Sequence, residues 1–489
     1  MTLPERVKIS LTSGAIMRGR RNLFFSIVGL SVLSLLLLGG VTKSHAMTTE
    51  EEKKMGRRIV EELERKVEVV QDIPLRAFIN RMGRTLAAHA DPNPFEMKFY
   101  LINGQEPNAM AIPGGYIVVT TGLIVLAENE DEIAGVLSHE IAHVTGRHVV
   151  QLIEKTKRLN LASLAAILIG AIAGGGGTTS QAIAATAMAT TEALALKYTR
   201  EMEREADQNG LHILLRAGYD PGGLFSFLNK INKMSLASES KIPAYLSTHP
   251  GVEDRIALLE NLLQIESKAR PSVKPAGGYR RIQARAFVAE REPSVSVAHF
   301  DSMVKTDPGE VSAHLGLGLS YQKMGRLDQS RTILQQALSR WPGDKDLLRE
   351  LGIASFLSGK LDQAIETLRS VSEEGGSHED PASLFYLARA YQERGEAGKA
   401  LPLFLRFRNE MPDFPDINRY LGSVYGRLGQ KGLSHLYFGK DFRSRGDRNN
   451  ALLHFRTALK FLEPGSPERT EAEREIRELT AKGQEKQKN

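Results

Sequence analysis

Apolar positions recur at helical spacing through most of the chain, and only a few short stretches break that rhythm. Glu50 to Arg84 is charged, with Ile59, Leu63 and Val67 at intervals of four, which predicts helix. Met97 to Ile102 and Tyr116 to Thr120 read as short strands. Between them, Asn108 to Ile112 is an extended segment closed by Pro113-Gly114-Gly115. Pro113 cannot donate to a strand ladder, so this segment is expected at a sheet edge. Glu130 to Ile153 is predicted as one helix, with Glu130, Asp131 and Glu132 at its start and His and Arg near its end, as the helix dipole prefers. Leu159 to Ala189 is rich in Ala, Ile and Leu and is interrupted by Gly174 to Gly177. It fits two buried helices joined by a flexible turn; the alternatives are a mobile lid or a hairpin in peripheral contact with a membrane.

After a stretch with Pro and paired Gly from Ala269 to Gly278, glycines recur at 34- and 36-residue intervals: Gly325, Gly359, Gly395 and Gly429. A small residue stands seven before each (Gly318, Gly352, Ala388, Gly422), and Ala364, Ala400, Pro342 and Pro412 keep the same register. Four units in one register resemble tetratricopeptide repeats, in which small residues let two antiparallel helices approach and Pro ends the second. A degenerate unit is expected before them, ending at Asp307-Pro308, and another after them around Gly446, Ala451 and Ala458. Gly446 follows Gly429 by only 17 residues, so one helix is expected to serve two units there. Gly465 to Asn489 is charged and apolar-poor, and reads as a capping helix with a frayed tail. The expected divisions are a leader at 1–46, a mixed α/β domain at 47–268, a linker at 269–279, repeats at 280–464 and a tail at 465–489.

A net charge of +6 over 489 residues suggests nucleic acid or an anionic membrane until the charge is located. Residues 1–46 hold six basic residues (Arg6, Lys8, Arg18, Arg20, Arg21, Lys43) and one acid (Glu5), leaving +1 for the rest, so no nucleic-acid partner is expected. The same segment has a basic region, an apolar run from Leu23 to Leu38 and then Ser44-His45-Ala46, which reads as an export signal cleaved before Met47. A retained signal anchor is the alternative, because the run approaches the ~20 residues that span a bilayer. Either way the remainder is exported, in a bacterium to the periplasm. The chain has no cysteine, which excludes disulfides, thiolate zinc sites and a cysteine nucleophile; any metal must be held by His, Asp and Glu.

The candidate chemistry is His139-Glu140-Ile141-Ala142-His143. On a helix the two imidazoles differ by about 40° and one turn, so both reach one metal, and Glu140 stands beside them to polarise a water. The third ligand decides the class. A continuation His143-x-x-Gly146-x-x-His fails, since residue 149 is Val, and His148 stands about 180° from His139 unless the helix breaks. A downstream carboxylate remains, for which Glu201, Glu203 and Glu205 are equivalent candidates.

His139-Glu140-x-x-His143, followed by Glu203-x-x-Ala206-Asp207, resembles the HtpX and CAAX-endopeptidase-like family of zinc metallopeptidases. The resemblance implies an α+β zincin-like metallopeptidase domain ahead of an all-α tetratricopeptide solenoid. It further implies Glu203 as third ligand to one Zn2+ per chain and Asp207 as the group that orients a ligand. Asn108, Ala109, Met110, Ala111 and Ile112 match the family's edge strand, along which a substrate would lie. Leader, peptidase domain and repeats together resemble the periplasmic β-barrel assembly-enhancing protease subgroup, although the C-terminal cysteines common there are absent here. Ser247-Thr248-His249-Pro250 and Arg255 match that subgroup's loop after the third ligand and imply catalytic roles for His249 and Arg255. His249 would either fill the metal's open position in a resting enzyme or donate to the oxyanion. The implied function is cleavage of unfolded or stalled outer-membrane proteins, with Glu140 as general base and the repeats binding the β-barrel assembly machinery. Two other classes stand beside it: a chaperone or adaptor with a latent metal site, and a membrane-embedded prenyl-protein protease. The last needs several spans, and beyond the leader the chain offers only Leu159 to Ala189.

Overall fold

The computed structural model describes residues 47–156, 192–237, 243–266, 278–373 and 380–488. The expected leader, the Leu159 to Ala189 stretch and nearly all of the expected linker lie outside the described residues. Thr48–Asn489 forms one compact unit by its internal contacts. Among the described residues no helix is long and apolar enough to cross a membrane.

Helix α1 (Thr49–Lys66) opens with a capping box between Thr48 and Glu51, and α2 (Ile73–Ala87) is capped by Asp72. Three strands follow: β1 (Lys98–Ile102), β2 (Ala109–Ile112) and β3 (Tyr116–Thr120), in the order β1-β3-β2. β3 is central, parallel to β1 and antiparallel to β2, with Lys98 opposite Tyr116 and Ala109 opposite Val119. β2 is therefore an edge strand, where Pro113 predicted it. Ile59, Val60 and Leu63 of α1 cover one side of the sheet against Met110, Ile112 and Val118.

From β3 the chain runs through α3 (Thr121–Leu126) into α4 (Glu130–Thr145). The single helix expected from Glu130 to Ile153 is two: it breaks at Gly146 and Arg147, and α5 (His148–Thr156) starts in a new direction. Arg147 has φ of 53°, the only non-glycine residue with positive φ among the described residues, and its Nε donates to Glu52 Oε2 at 2.7 Å. Helices α6 (Glu192–Ala217), α7 (Gly222–Ala237), α8 (Ala244–Thr248) and α9 (Val252–Glu266) complete the domain. Ile133, Leu137 and Ile141 of α4, Leu214 of α6 and Phe227 of α7 are buried in one core with Ile117 and Val119 of β3.

The repeat array is all helix: α10 (Tyr279–Glu290), α11 (Pro293–Thr306), α12 (Val311–Lys323), α13 (Leu327–Arg340), α14 (Lys345–Leu357), α15 (Leu361–Glu373), α16 (Pro381–Glu393), α17 (Ala397–Glu410), α18 (Ile417–Arg427), α19 (Lys431–Ser444), α20 (Arg448–Ala458) and α21 (Pro467–Lys488). The four periodic glycines sit in the turns between paired helices with φ of 73°, 72°, 87° and 76°, a conformation that other residues adopt only at a cost. The small residues seven before them are the points of closest approach: a Cβ on Gly318 or Gly352 would come within 2.8 Å of Leu334 or 2.6 Å of Leu368. α19 packs in both directions, with Phe438 under Gly422 of α18 and Gly439 under Phe455 of α20, so it serves two units as the short spacing suggested. α21 covers the end with Ala472 against Phe455 and remains helical to Lys488, where a frayed tail was expected.

Helix α10 belongs to both halves. Tyr279 and Ala286 are buried in the peptidase core, Ala284 and Val288 in the first repeat core, and Tyr279 donates to the Ile124 carbonyl at 2.7 Å. Its Arg285 is 3% exposed and joins Asp72 (2.9 Å) on the peptidase side to Glu350 on the repeat side. Arg349 also pairs with Glu350 (3.0 Å) and, like Arg281, with Asp346; although burial pushes the Asp346 carboxyl up, Arg349 and Arg285 hold it well below the usual range. Arg285→Ala should therefore leave Glu350 with Arg349 as its remaining cation and Asp72 without its partner across the seam, and lower stability by ~1.5–3 kcal/mol. Arg280→Ala on the exposed side of the same helix should cost about 0.5 kcal/mol or less. Urea unfolding midpoints of the two variants test the difference.

Candidate metal centre

Asn129 caps α4 by accepting from the Glu132 N–H, and the acidic first turn suits the helix dipole. One turn apart near the other end, His139 and His143 face inward with 0% and 8% exposure. α6 crosses α4 at Gly210, where a Cβ would lie 3.1 Å from the His139 backbone nitrogen. That close crossing brings Glu203 and Asp207, which share a face with Gly210, against the two imidazoles. Glu201 and Glu205, equivalent to Glu203 in sequence, are exposed. The residue after α8 supplies His249, and α9 supplies Arg255, so four separate segments build the site.

His139, His143, Glu203 and His249 are all buried, and each offers one ligating atom within 4.8 Å of the others. His139 Nε2 lies 3.0 Å from His143 Nε2 and 3.3 Å from Glu203 Oε2, and His143 Nε2 is 3.4 Å from Glu203 Oε1. His249 Nδ1 is 3.4 Å from His139 Nε2 and 3.2 Å from Glu203 Oε2. Two ring nitrogens and a carboxylate pointing at one another repel or compete for protons unless a cation lies between them. This donor set is the one that suits zinc.

Behind the ligands, His139 Nδ1 lies 2.9 Å from Asp207 Oδ1, and Arg255 donates twice to Asp207 at 2.8 Å, from Nε and Nη2. Arg255 Nη1 is also 2.9 Å from Glu203 Oε2, and the residue is 1% exposed. Burial pushes the Glu203 carboxyl up, but His249, Arg255 and His143 hold it well below the usual range. Asp207 is likewise lowered against its burial, by Arg255 and His139. For His139, burial and Arg255 oppose a charge, yet the hydrogen bonds to Asp207 and Glu203 prevail and raise its pKa to about 9. Burial lowers the pKa of His143.

Glu140 is 0% exposed, and among the described residues neither of its carboxylate oxygens has a hydrogen bond; Oε1 stands 3.3 Å from His249 Nε2. The Tyr245 ring stacks on His249 with centroids 4.5 Å apart, and His249 Nε2 lies 3.5 Å from the Ala109 carbonyl oxygen. The edge strand thus runs beside the histidine that the sequence singled out, with Asn108 within 3.5 Å of Thr248 Oγ1. Two residues escaped the sequence reading. Tyr245 carries no signal in a single sequence. His148 was set aside on the geometry of an unbroken helix, and Gly146 beside Arg147 was the one hint that the helix ends.

Comparison with known proteins agrees with this geometry. The Peptidase family M48 pattern matches residues 74–263, and tetratricopeptide repeat patterns match 315–379 and 381–406. The beta-barrel assembly-enhancing protease of Yersinia pestis is 27% identical over 77% of this chain and 77% of its own. A putative beta-barrel assembly-enhancing protease of Vibrio cholerae is 31% identical over 62% of this chain and 63% of its own. A crystal structure of MamA aligns with 36% of this chain and 99% of its own at 19% identity, with a TM-score of 0.28. Residues 74–263 are thus a zinc metalloendopeptidase domain of family M48, and the chain, with tetratricopeptide repeats behind that domain, is a distant homologue of the beta-barrel assembly-enhancing proteases.

Proposed function

We propose that the chain is an exported zinc endopeptidase that cleaves unfolded or misassembled outer-membrane proteins. The observation that carries this reading is the convergence of two imidazoles and a carboxylate beside Glu140, a buried carboxylate with no hydrogen bond among the described residues. His139, His143 and Glu203 would hold one Zn2+, which when bound supplies a Lewis acid that makes water a nucleophile near neutral pH. Glu140 accepts the proton of the attacking water and passes it to the leaving amine, a role its free oxygens suit. Asp207 holds His139 in the tautomer whose Nε2 lone pair faces the ligand cluster. Arg255, for which sequence reasoning implied a catalytic role, lies behind the ligands and balances Asp207 and Glu203; we assign it to positioning.

His249 stands among the ligands, with Nδ1 as close to Glu203 as the other imidazoles are, which supports the plug over the oxyanion donor. A substrate strand laid along Asn108 to Ile112 would reach the metal by displacing it, and strand addition favours extended segments over folded ones. The relatives' printed names support substrates among β-barrel proteins and a partner of the repeats in their assembly machinery. The basic and apolar leader supports a periplasmic location.

Purified protein freed of the leader should bind one zinc and cleave casein, and a chelator should abolish cleavage. Glu140→Gln should keep its zinc and lose on the order of 100-fold or more in turnover. Near wild-type turnover at full zinc content would remove Glu140 from the reaction. Glu203→Gln should lose zinc while Glu201→Gln, exposed on the same helix, keeps it; equal contents would sink the ligand assignment. His249→Ala should raise the initial rate on unfolded substrate at equal zinc content if the ring is a plug. A fall of roughly 10- to 1000-fold would instead mark an oxyanion donor.

A further inference from the structure

The two zinc-binding histidines need partners on their outer nitrogens, and His139 has Asp207. For His143 the corresponding position is filled by another imidazole: His148 Nδ1 lies 2.9 Å from His143 Nδ1, the rings meeting edge to face at 85°. We infer that His148 is a positioning residue for zinc, which accepts the Nδ1–H of His143 and fixes that ring's tautomer and plane. The inference rests on the metal-site reading above and adds to it a residue that the His-Glu-x-x-His motif does not contain.

Three features of the fold converge on this contact. His148 is 2% exposed, which a histidine at the start of a surface helix has no reason to be. The helix break delivers it: Arg147 holds a φ of 53°, clipped by Glu52, whose other carboxylate oxygen accepts from the Gly114 N–H after the edge strand. Such backbone strain persists only where the surroundings enforce it. Gly146 leaves the room, since a Cβ there would come within 2.5 Å of His148 Nε2.

The proton positions follow from the geometry. His143 Nε2 faces the ligand cluster, 3.4 Å from Glu203 Oε1, and can bind a metal only through its lone pair. Its proton is therefore on Nδ1, pointing at His148 Nδ1, which must be the acceptor. His148 then carries its own proton on Nε2, and Glu205 Oε2 stands 3.5 Å from that nitrogen at the surface. Each ligand imidazole is thus backed by a different acceptor: a carboxylate for His139 and a neutral imidazole for His143.

The test is zinc affinity, measured by chelator competition on leaderless protein, for wild type, His148→Phe and His148→Asn. Phe keeps the ring's bulk without an acceptor, whereas the Asn side-chain oxygen can occupy the place of Nδ1. His148→Phe should bind zinc 10- to 100-fold more weakly, the usual cost of losing such a partner. His148→Asn should recover to within a few-fold of wild type. Zinc binding by His148→Phe within about twofold of wild type would overturn the inference, and so would equal weakening of both variants, since that tracks lost packing and not a lost acceptor. Wild type that binds no zinc would overturn the metal-site reading itself, an outcome separate from either.

Discussion

Arg255 is enclosed in the middle of the peptidase domain, and its charge must be balanced where it lies. Asp207 receives two of its N–H groups and Glu203 lies within ion-pair distance of a third nitrogen, which fixes the rotation of α6 against both α4 and α9. Once those carboxylates are fixed, His139 has one orientation available, and His143 follows one turn later. Without the guanidinium, Glu140, Glu203 and Asp207 would crowd a dry interior with only imidazoles to offset them, a state that folding does not tolerate. The pairing also keeps Glu203 and Asp207 ionised before any ion arrives, so the carboxylate of the ligand set needs no further proton loss to bind one.

How far the sequence could be read depended on whether a feature was periodic or local. The repeats declared themselves because one register recurs four times, and each periodic glycine answers to one turn with positive φ. His139, Glu140 and His143 were legible because a single helical turn fixes their relation. Glu203 was not separable from Glu201 and Glu205 by spacing alone. Only the crossing at Gly210 decides which face of α6 turns inward, and a crossing is a tertiary fact. His148 was lost for the opposite reason: the regular-helix rule was applied across Gly146, where one strained residue redirects the chain. The fate of Arg255 was equally hidden, because a lone arginine at the start of a helix reads the same whether it meets solvent or a buried aspartate.

The contact between peptidase and repeats is not a tether between two finished bodies. Ile73, from the first turn of a peptidase helix, is buried among repeat side chains that include Phe385, Phe414 and Ile417, and Lys98 of β1 reaches Asp413 at 2.7 Å. Together with Arg285, these contacts grip the array at two separated places along its length, so the repeats are held against the catalytic domain by apolar packing as well as by charge.

Helix α10 gives that arrangement an order in time. A chain that emerges N-terminus first exposes the ligands His139, His143 and Glu203 well before Tyr279 and Ala286 arrive to close the peptidase core. Until then the hydrolytic half is short of a wall, and the helix that supplies it also packs into the first repeat core. Synthesis therefore couples the completion of the cutting domain to the start of the array: a nascent protease gains its full core only once the first helix of its repeat half has been made.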